Sequence, residues 1–349
     1  MRAAVFYGPR DLRVEEVEKP KPGPGEILVK TSVALTCGTD LKTYLRGYPF
    51  TKPPLIIGHE YTGIVEEVGE DVDWVKPGDR IVTVNSAPCG HCIYCKLSRP
   101  NLCERLIDQM IGFTVDGAYA EYVKVPPRVA RFNLYHVAED VEPVEAALLE
   151  PFSCVVRGQR LINIDLGDTV AIIGAGPIGL MHLLLARISG SKKIIIIDIS
   201  SDRLRFAEKL GADVTINNRE ENAVERVREE TNGIGADVVI EAVGRVETWE
   251  QSLSLARKGG KVLLFGGCPS GTKASFDTYM IHYGELTIQG SFHLTPQDVL
   301  KAMRIIESKK LPLKKLITRE ARLDEIVEMF ERIRQGKELK VAIRFLRTL

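Results

Sequence analysis

Several features that would place a chain in a specialised class are scarce in this sequence. Its 349 residues carry 47 Lys and Arg against 47 Asp and Glu, so there is no net charge to attract nucleic acid or an anionic membrane. The longest apolar runs, such as 194–197, are far too short to span a bilayer. The first ten residues contain no apolar stretch typical of a secretion signal. We therefore expect a cytoplasmic protein with neither nucleic acid nor a membrane as its partner.

Cysteine is also infrequent, but its seven occurrences are unevenly placed. An odd count without a secretion signal favours metal binding over disulfide bonds. Four cysteines at Cys-x2-Cys-x2-Cys-x7-Cys spacing can close a tetrahedral zinc site that has no open position and holds a loop in place. They are Cys89, Cys92, Cys95 and Cys103. The alternatives are unrelated free thiols, or a site in which His91 replaces one cysteine.

A second candidate metal site lies between Cys37 and Glu60. It contains Cys-Gly-Thr-Asp at 37–40 and Gly-His-Glu at 58–60. A thiolate, an imidazole and a carboxylate are zinc ligands, and three protein ligands with an open position are the pattern of a catalytic zinc. Alone the stretch is weak evidence, because Cys37 and His59 could both be core residues. Asp40 is interpreted as simple turn chemistry.

The length and the change of pattern along the chain predict two domains of an α/β protein. Residues 1–125 contain short β-rich runs separated by turns rich in Gly and Pro. From residue 168 onward, strand and helix patterns alternate, which predicts a parallel, doubly wound sheet. The expected fold is therefore a β-rich domain combined with a domain of alternating strands and helices.

The segment Gly174-Ala-Gly176-Pro-Ile-Gly179 follows a predicted strand and precedes a predicted helix. This is the context that a dinucleotide-binding turn requires. The first Gly permits the tight turn, the second lets the backbone approach a pyrophosphate, and the third lets helix and strand pack closely. The alternative is a Gly-rich turn that binds no cofactor.

Asp198 ends the next predicted strand, where its carboxylate would accept hydrogen bonds from ribose hydroxyl groups. A 2′-phosphate would meet like charge there, which favours NAD over NADP, although Arg203 and Arg205 keep NADP open. The predicted cofactor-binding residues are Gly174, Gly176, Pro177, Ile178, Gly179, Asp198, Arg203, Val243 and Gly266.

Together with Gly117-Ala-Tyr-Ala-Glu121 and Glu150-Pro151, these motifs resemble the zinc-dependent medium-chain dehydrogenases over almost the whole chain. Glu-Pro-Phe-Ser at 150–153 is similar to the sorbitol (polyol) dehydrogenase branch, and threonine dehydrogenases share the Glu-Pro pair. The resemblance implies a GroES-like catalytic zinc domain at 1–153 and 291–349. It also implies a Rossmann NAD-binding domain at 154–290 and a homo-oligomer, either a tetramer or a dimer.

The resemblance also implies two zinc ions per chain, one catalytic and one structural. Cys37 and His59 would be ligands of the catalytic zinc, and Glu60 is a ligand in some members of the family. Glu150 would be either the remaining ligand or the group that hydrogen-bonds a zinc-bound water. Thr39 would pass on the substrate proton.

Oxidation of a secondary alcohol removes a proton from oxygen and a hydride from carbon. Zinc lowers the pKa of a bound water to about 7 and should act similarly on an alcohol, while NAD accepts the hydride. We therefore expect an oxidoreductase that acts with NAD on the alcohol or ketone of a polyol, sugar or sugar acid. A threonine or simple secondary-alcohol dehydrogenase is the alternative, and a non-catalytic NAD-binding protein is a more remote one.

Two positions depart from the family pattern. Lys42 stands where many members have a His that ends the proton relay, and Arg157 stands where relatives often have His. Both changes add positive charge, which suggests a substrate with a carboxylate or phosphate that pairs with one of them. The alternative is that both side chains face solvent or the cofactor phosphates.

Overall fold

The computed structural model describes residues 1–345, which form two compact units. One unit combines Met1–Ser153 with the described residues from Leu294 onward, and the other is Cys154–His293. Residues 346–349, the end of the predicted catalytic domain, lie outside the described residues. No helix within residues 1–345 is both long and apolar enough to cross a membrane.

The first 153 residues are mainly strands joined by short helices. The strands are β1 (Arg2–Gly8), β2 (Asp11–Glu16), β3 (Ile27–Leu35), β4 (Leu55–Ile56), β5 (Glu60–Val68), β6 (Arg80–Thr83), β7 (Tyr122–Val125) and β8 (Leu134–His136). The helices are α1 (Gly38–Arg46), α2 (Ile93–Lys96), α3 (Pro127–Phe132), α4 (Pro143–Ala146) and α5 (Leu149–Ile162), with 3-10 turns at Pro100–Leu102 and Leu106–Gln109.

The second unit alternates strands with helices. Its strands are β9 (Thr169–Ile173), β10 (Lys193–Asp198), β11 (Val214–Asn217), β12 (Ala236–Glu241), β13 (Ala256–Leu264) and β14 (Thr287–Gly290). Its helices are α6 (Pro177–Ile188), α7 (Ser201–Lys209), α8 (Ala223–Glu230), α9 (Val246–Leu255) and α10 (Thr278–Tyr283).

The chain then returns to the first unit. The returning segment contains α11 (Pro296–Glu307), β15 (Ile317–Arg322), α12 (Ile326–Arg334) and β16 (Lys340–Arg344), with 3-10 turns at Leu313–Leu316 and Leu323–Glu325. β16 pairs antiparallel with β3, which completes a sheet in the order β15-β16-β3-β5-β6-β8, with β7 also paired to β3. The last strand of the chain therefore lies beside the third.

The second unit is built on one parallel sheet in the order β11-β10-β9-β12-β13-β14. This order is that of a doubly wound dinucleotide-binding fold, in which the direction of winding reverses next to the first strand, here β9. The central strands are largely apolar and buried, as expected where helices cover both faces of such a sheet. Residues 194–197, for example, are all buried isoleucines.

Two sequence expectations differ from the structure. Residues 155–162 have a helical pattern that predicts a helix there, but the helix begins at Leu149, so Glu150 and Pro151 lie in its first turn, where Pro is tolerated. Residues 117–125 alternate in a pattern that predicts a strand, but the strand is regular only from Tyr122 onward. Before that point its backbone bonds irregularly, because Ala118 N donates to the carbonyl of Gly58 at 2.9 Å.

Close packing at the turn after β9 yields a prediction about stability. A Cβ on Gly179 would lie 1.8 Å from the carbonyl oxygen of Gly174, whereas a Cβ on Gly176 would meet no atom within 4 Å. Gly179→Ala is therefore expected to lower the free energy of unfolding by more than about 2 kcal/mol. Gly176→Ala is the matched control and should stay within about 1 kcal/mol of the wild type. Denaturant midpoints measure both, and equal midpoints for the two variants would contradict the packing argument.

Candidate active site

The ends of two paired strands bring the residues of the Cys37–Glu60 stretch together. β3 ends at Leu35, two residues before Cys37, and β5 begins at Glu60, directly after His59. Leu35 pairs with Glu60 in the antiparallel ladder. One ligand atom each from Cys37, His59 and Glu60 consequently lie within 4.8 Å of one another.

Cys37 is held at the start of α1. It is the N-cap residue of that helix, and its Sγ accepts a hydrogen bond from the backbone N–H of Thr39 at 3.4 Å. This contact holds the sulfur at the N-terminal end of the helix, where the partial positive charge of the helix dipole lies. The start of α1 therefore fixes the position of this sulfur, which is a suitable metal ligand.

Asp40 orients His59, so its interpretation as simple turn chemistry was wrong. The Asp40 carboxylate is 1% exposed and lies 2.9 Å from His59 Nδ1, while the Tyr119 hydroxyl donates to its other oxygen at 2.6 Å. A His that donates Nδ1–H to a carboxylate presents Nε2 as the ligand atom. Only the ring nitrogen needed for a metal is thus left available.

The electrostatics of this pocket favour positive charge. Burial alone would lower the pKa of His59, but Asp40 and Cys37 outweigh it and hold this pKa well above its ordinary value. Burial, with Asp40 adding to it, likewise raises the pKa of Tyr119 well above its ordinary value, which keeps the hydroxyl group a donor. The cluster therefore offers negative charge to a cation in addition to suitable ligand atoms.

Glu60 is fully buried, and only one of its two carboxylate oxygens has a hydrogen-bond partner among the described residues. Its Oε2 accepts from Lys340 Nζ, but Oε1 has no hydrogen-bond partner among the described residues. Burial raises the pKa of this carboxyl, and the Lys340 ammonium opposes that rise. An unpartnered buried carboxylate oxygen is costly unless something binds it.

Glu150 is a second buried carboxylate, close enough to His59 and Glu60 for their charges to affect it. It lies in the first turn of α5 and is 6% exposed. Burial raises its pKa to about 7, with His59 opposing the rise and Glu60 adding to it. Cys37, His59 and Glu60 offer a sulfur, an imidazole nitrogen and a carboxylate with an orphaned oxygen, and this set fits zinc.

The four clustered cysteines form a separate group. Their sulfur atoms all lie within 4.8 Å of one another, and Cys92 Sγ is 3.6 Å from Cys95 Sγ. Tetrahedral zinc with bonds of about 2.3 Å places its sulfur ligands about 3.8 Å apart, so the residues fit a closed zinc site. The Cys95 backbone N–H lowers the pKa of Cys92 to about 6, which favours a thiolate. His91 is exposed, and its Nδ1 lies 2.9 Å from the carbonyl of Cys89.

The remaining residues singled out by the sequence occupy different environments. Thr39 is half-buried in the first turn of α1, and its carbonyl accepts from the Thr43 hydroxyl at 2.9 Å. Lys42 is exposed on the same helix. Arg157 is buried in α5, at 9% exposure, so it does not face solvent.

An aromatic wall flanks His59, and sequence reasoning missed it. The Phe113 ring centroid lies 4.9 Å from that of His59 and 5.2 Å from that of Tyr48. Burial raises the pKa of Tyr48, a rise that His59 opposes and Cys37 reinforces. No pattern in the sequence marks these rings, because they come from two segments separated by more than 60 residues.

In the second unit, the Gly-rich turn has the backbone geometry that a dinucleotide requires. Gly174 has φ of +106°, in the region that favours glycine, and α6 starts immediately after Gly176, with Pro177 as its first residue. Asp198 Oδ2 accepts from Ala175 N at 2.7 Å, which ties this turn to the end of β10. Ile178 lies in the first turn of α6, and Arg203 in that of α7.

The loop after β12 lies against the same turn. A Cβ on Gly174 would meet Val243 Cγ2 at 2.9 Å, so the Val243 side chain covers this glycine. Buried Glu241 fixes the loop, since its Oε1 accepts from Val243 N at 2.9 Å and from Gly244 N at 2.8 Å. Gly266 must lack a side chain here, because its Cβ would lie 2.3 Å from Gly244 N. Sequence reasoning did not identify the part played by Glu241.

Comparison with known families agrees with this two-part construction. Residues 23–132 match the alcohol dehydrogenase GroES-like domain. Residues 177–308 match the zinc-binding dehydrogenase family.

Characterised relatives align over nearly the whole chain. The erythritol/L-threitol dehydrogenase of Mycolicibacterium smegmatis and the sorbitol dehydrogenase of Bacillus subtilis are each 33% identical to it, over 98% of this chain and 97% of theirs. The L-threonine 3-dehydrogenase of Thermococcus kodakarensis is 36% identical, over 98% of this chain and 96% of its own.

Solved structures show the same similarity. A zinc-binding dehydrogenase from Sinorhizobium meliloti 1021 bound to NADP superposes with a TM-score of 0.92 at 34% identity, over 99% of both chains. Galactitol-1-phosphate dehydrogenase from Escherichia coli has a TM-score of 0.89 at 27% identity, over 99% of this chain and 100% of its own. The expected fold class, the alcohol dehydrogenase activity and the use of zinc and a nicotinamide cofactor are confirmed. The chain belongs to the zinc-dependent medium-chain dehydrogenase family, in its polyol and threonine dehydrogenase branch.

Proposed function

We propose that this enzyme interconverts a secondary alcohol and a ketone of a polyol, sugar or sugar acid, with NAD as its redox partner. The observation that carries the proposal is the cluster of Cys37, His59 and Glu60, whose ligand atoms lie within 4.8 Å of one another beside the orphaned Glu60 Oε1. Overall, the alcohol and NAD⁺ give the ketone, NADH and a proton.

In this proposal Cys37 and His59 hold the catalytic zinc, and Glu60 and Glu150 are the carboxylates that complete or adjust its site. Bound zinc supplies a Lewis acid that withdraws electron density from the substrate oxygen. Asp40 keeps the His59 ring in one orientation through the 2.9 Å contact at Nδ1. Phe113 and Tyr48 give the substrate an apolar wall beside these groups.

Thr39 is the group that we assign to proton transfer. Its hydroxyl belongs to the residue whose backbone N–H donates to Cys37 Sγ, so it lies on the same helix turn as the metal ligand. A hydroxyl can accept one proton while donating another, which a relay requires. Because Lys42 is exposed, the relay ends at solvent beyond the first turn of α1.

The first unit is proposed as the catalytic zinc domain, and the second as the Rossmann domain that binds NAD. The Gly174–Gly179 turn would receive the pyrophosphate, with Pro177 and Ile178 opening the helix below it. Asp198 would accept the adenosine ribose hydroxyls, Val243 and Gly266 would line the dinucleotide, and Arg203 would lie near the ribose. Cys89, Cys92, Cys95 and Cys103 would hold the structural zinc.

Zinc content tests the catalytic assignment. The wild type is expected to hold two zinc ions per chain, whereas Cys37→Ser and Cys92→Ser should each hold one. Cys37→Ser should lose activity by at least about 1000-fold with little change in melting temperature, because its zinc is catalytic. Cys92→Ser should lose several kcal/mol of stability, since closed zinc sites contribute on the order of 10 kcal/mol in small peptides.

Metal analysis after gel filtration measures these contents. Cys268→Ser is the control for removal of a thiol, and it should retain both zinc ions. A Cys37→Ser protein that keeps two zinc ions would remove the basis of the proposed catalytic site.

Cofactor choice depends on the charge of Asp198. NAD is the expected cofactor, although a similar enzyme binds NADP. Asp198→Asn removes the charge that would face a 2′-phosphate, and it keeps one acceptor oxygen where the wild type has two, Oδ2 for Ala175 N and Oδ1 for Ile199 N and Ser200 N. Its kcat/KM ratio of NAD to NADP should fall about tenfold or more. Steady-state rates with both cofactors measure this ratio, and an unchanged ratio would show that Asp198 does not discriminate.

Substrate charge is tested at Lys42. If Lys42 pairs with a carboxylate or phosphate, Lys42→Ala should lower kcat/KM for keto-aldonic acids and sugar phosphates by about tenfold. Rates for sorbitol, secondary diols and threonine should change less than about twofold. Arg46→Ala is the matched control, because Arg46 is an exposed cation one turn further along α1.

Equal losses on charged and neutral substrates would refute the pairing of Lys42 with an anionic group. Fastest turnover of threonine in the wild type would instead favour the alternative of a threonine dehydrogenase, which the relative from Thermococcus kodakarensis supports.

A further inference from the structure

The buried ammonium group of Lys340 lies next to the proposed metal site. Lys340 is 3% exposed, and its Nζ donates to Glu60 Oε2 and to the carbonyl of Thr36 at 2.8 Å. Glu60 is 0% exposed. A buried charge is stable only when it is paired and hydrogen-bonded, so Lys340 and Glu60 constrain each other.

The backbone fixes Lys340 independently of Glu60. Lys340 begins β16, and the next residue, Val341, is hydrogen-bonded to Thr36 through both backbone and hydroxyl groups. Thr36 N donates to Val341 O at 2.9 Å, and Val341 N donates to Thr36 Oγ1 at 2.9 Å. β3 separates β16 from β5 in the sheet, so the Lys340 side chain crosses the end of β3 to reach Glu60. Its ammonium position is therefore set before any metal binds.

Two partners consequently compete for the Glu60 carboxylate. Lys340 binds one oxygen, while a carboxylate oxygen of Glu60 also lies within 4.8 Å of the ligand atoms of Cys37 and His59. With Lys340 present, the carboxylate is neutralised and anchored towards β16. Without Lys340, its full negative charge would face the metal site, where an unpaired buried anion binds a divalent cation strongly.

We propose that Lys340 is a positioning residue that restrains Glu60 in an ion pair and so keeps it from closing the metal site, leaving one position open for the substrate. This inference rests on the proposed function, because it requires a catalytic zinc at Cys37 and His59. Through its ion pair with Glu60, Lys340 makes the protein release its catalytic zinc more readily and keeps kcat high.

Replacement of Lys340 by Met, which is unbranched and apolar, separates these two effects. Lys340→Met is expected to release its catalytic zinc to a chelator about tenfold more slowly than the wild type. Its kcat should fall about tenfold, because Glu60 then occupies the position that the substrate needs. A purely structural role for Lys340 would instead make zinc release faster while activity fell.

Control variants show which of the two zinc ions is being released. Cys37→Ser retains only the zinc of the cysteine cluster and so reports its release rate separately. Lys340→Arg keeps the charge and should release zinc at the wild-type rate. In Glu60→Gln/Lys340→Met the Glu60 carboxylate is no longer available to bind the metal, so zinc should leave this variant faster than Lys340→Met alone. Lys340→Gln, an uncharged donor to Glu60, provides the same comparison if Lys340→Met does not fold.

The outcomes distinguish this inference from the proposed function. Zinc release from Lys340→Met or Lys340→Gln at or above the wild-type rate would overturn the role of Lys340 and leave the catalytic zinc in place. A wild-type protein with no zinc sensitive to Cys37→Ser would overturn the proposed function itself. Slower release that persists when Glu60 is also replaced would show that Lys340 acts directly on the metal and not through Glu60.

Discussion

The burial of charged side chains at the ends of β3, β5 and β16 is the constraint on which the first unit depends. Ionised groups removed from water cost several kcal/mol each unless partners replace the lost solvation. The structure supplies such partners for Asp40, His59 and Lys340. It leaves Glu60 Oε1 without one among the described residues. A cation bound there would give this buried oxygen a partner, so metal binding would also offset part of the cost of burying Glu60.

In the second unit the main constraint is the space available near the backbone. A dinucleotide phosphate must approach the backbone closely, and every Cβ near that path is an obstacle. Gly174 and Gly266 leave space for Val243 and Gly244, and Gly179 lets α6 start directly against the turn. One of these contacts, between Gly174 and Val243, joins the turn after β9 to a loop about 70 residues later, whose backbone N–H groups Glu241 binds. Here sterics, and not charge, decide which residues are permitted.

Glu60 illustrates how stability and activity compete at one side chain. A carboxylate committed to the metal would stabilise the bound ion but fill the place of a substrate. A carboxylate committed wholly to Lys340 would leave the metal with fewer ligands. The ion pair across the end of β3 lies between these limits, and it exists only because the last strand returns beside the third. The pairing of β16 with β3 therefore determines which group restrains the Glu60 carboxylate.

The sequence by itself predicts the two metal sites and the dinucleotide turn, and it determined the alternating pattern of the second unit. Those features have short-range signatures: ligand spacing in Cys89–Cys103, the three glycines of 174–179, and strands that alternate with helices. The sequence misplaced the start of α5, because a Pro in the first turn of a helix resembles a helix breaker.

Only the tertiary structure decided which side chains surround the chemistry. Asp40 resembles a turn residue until the fold places it against His59, and Lys340 is one of 47 Lys and Arg with no local motif. Their roles depend on pairing between strands that are up to 305 residues apart along the chain. Such pairing follows from the register of the sheet and the burial of apolar faces, which are properties of the whole chain. A charged side chain needs a partner within the protein only after folding has removed the water that solvates it in the unfolded chain.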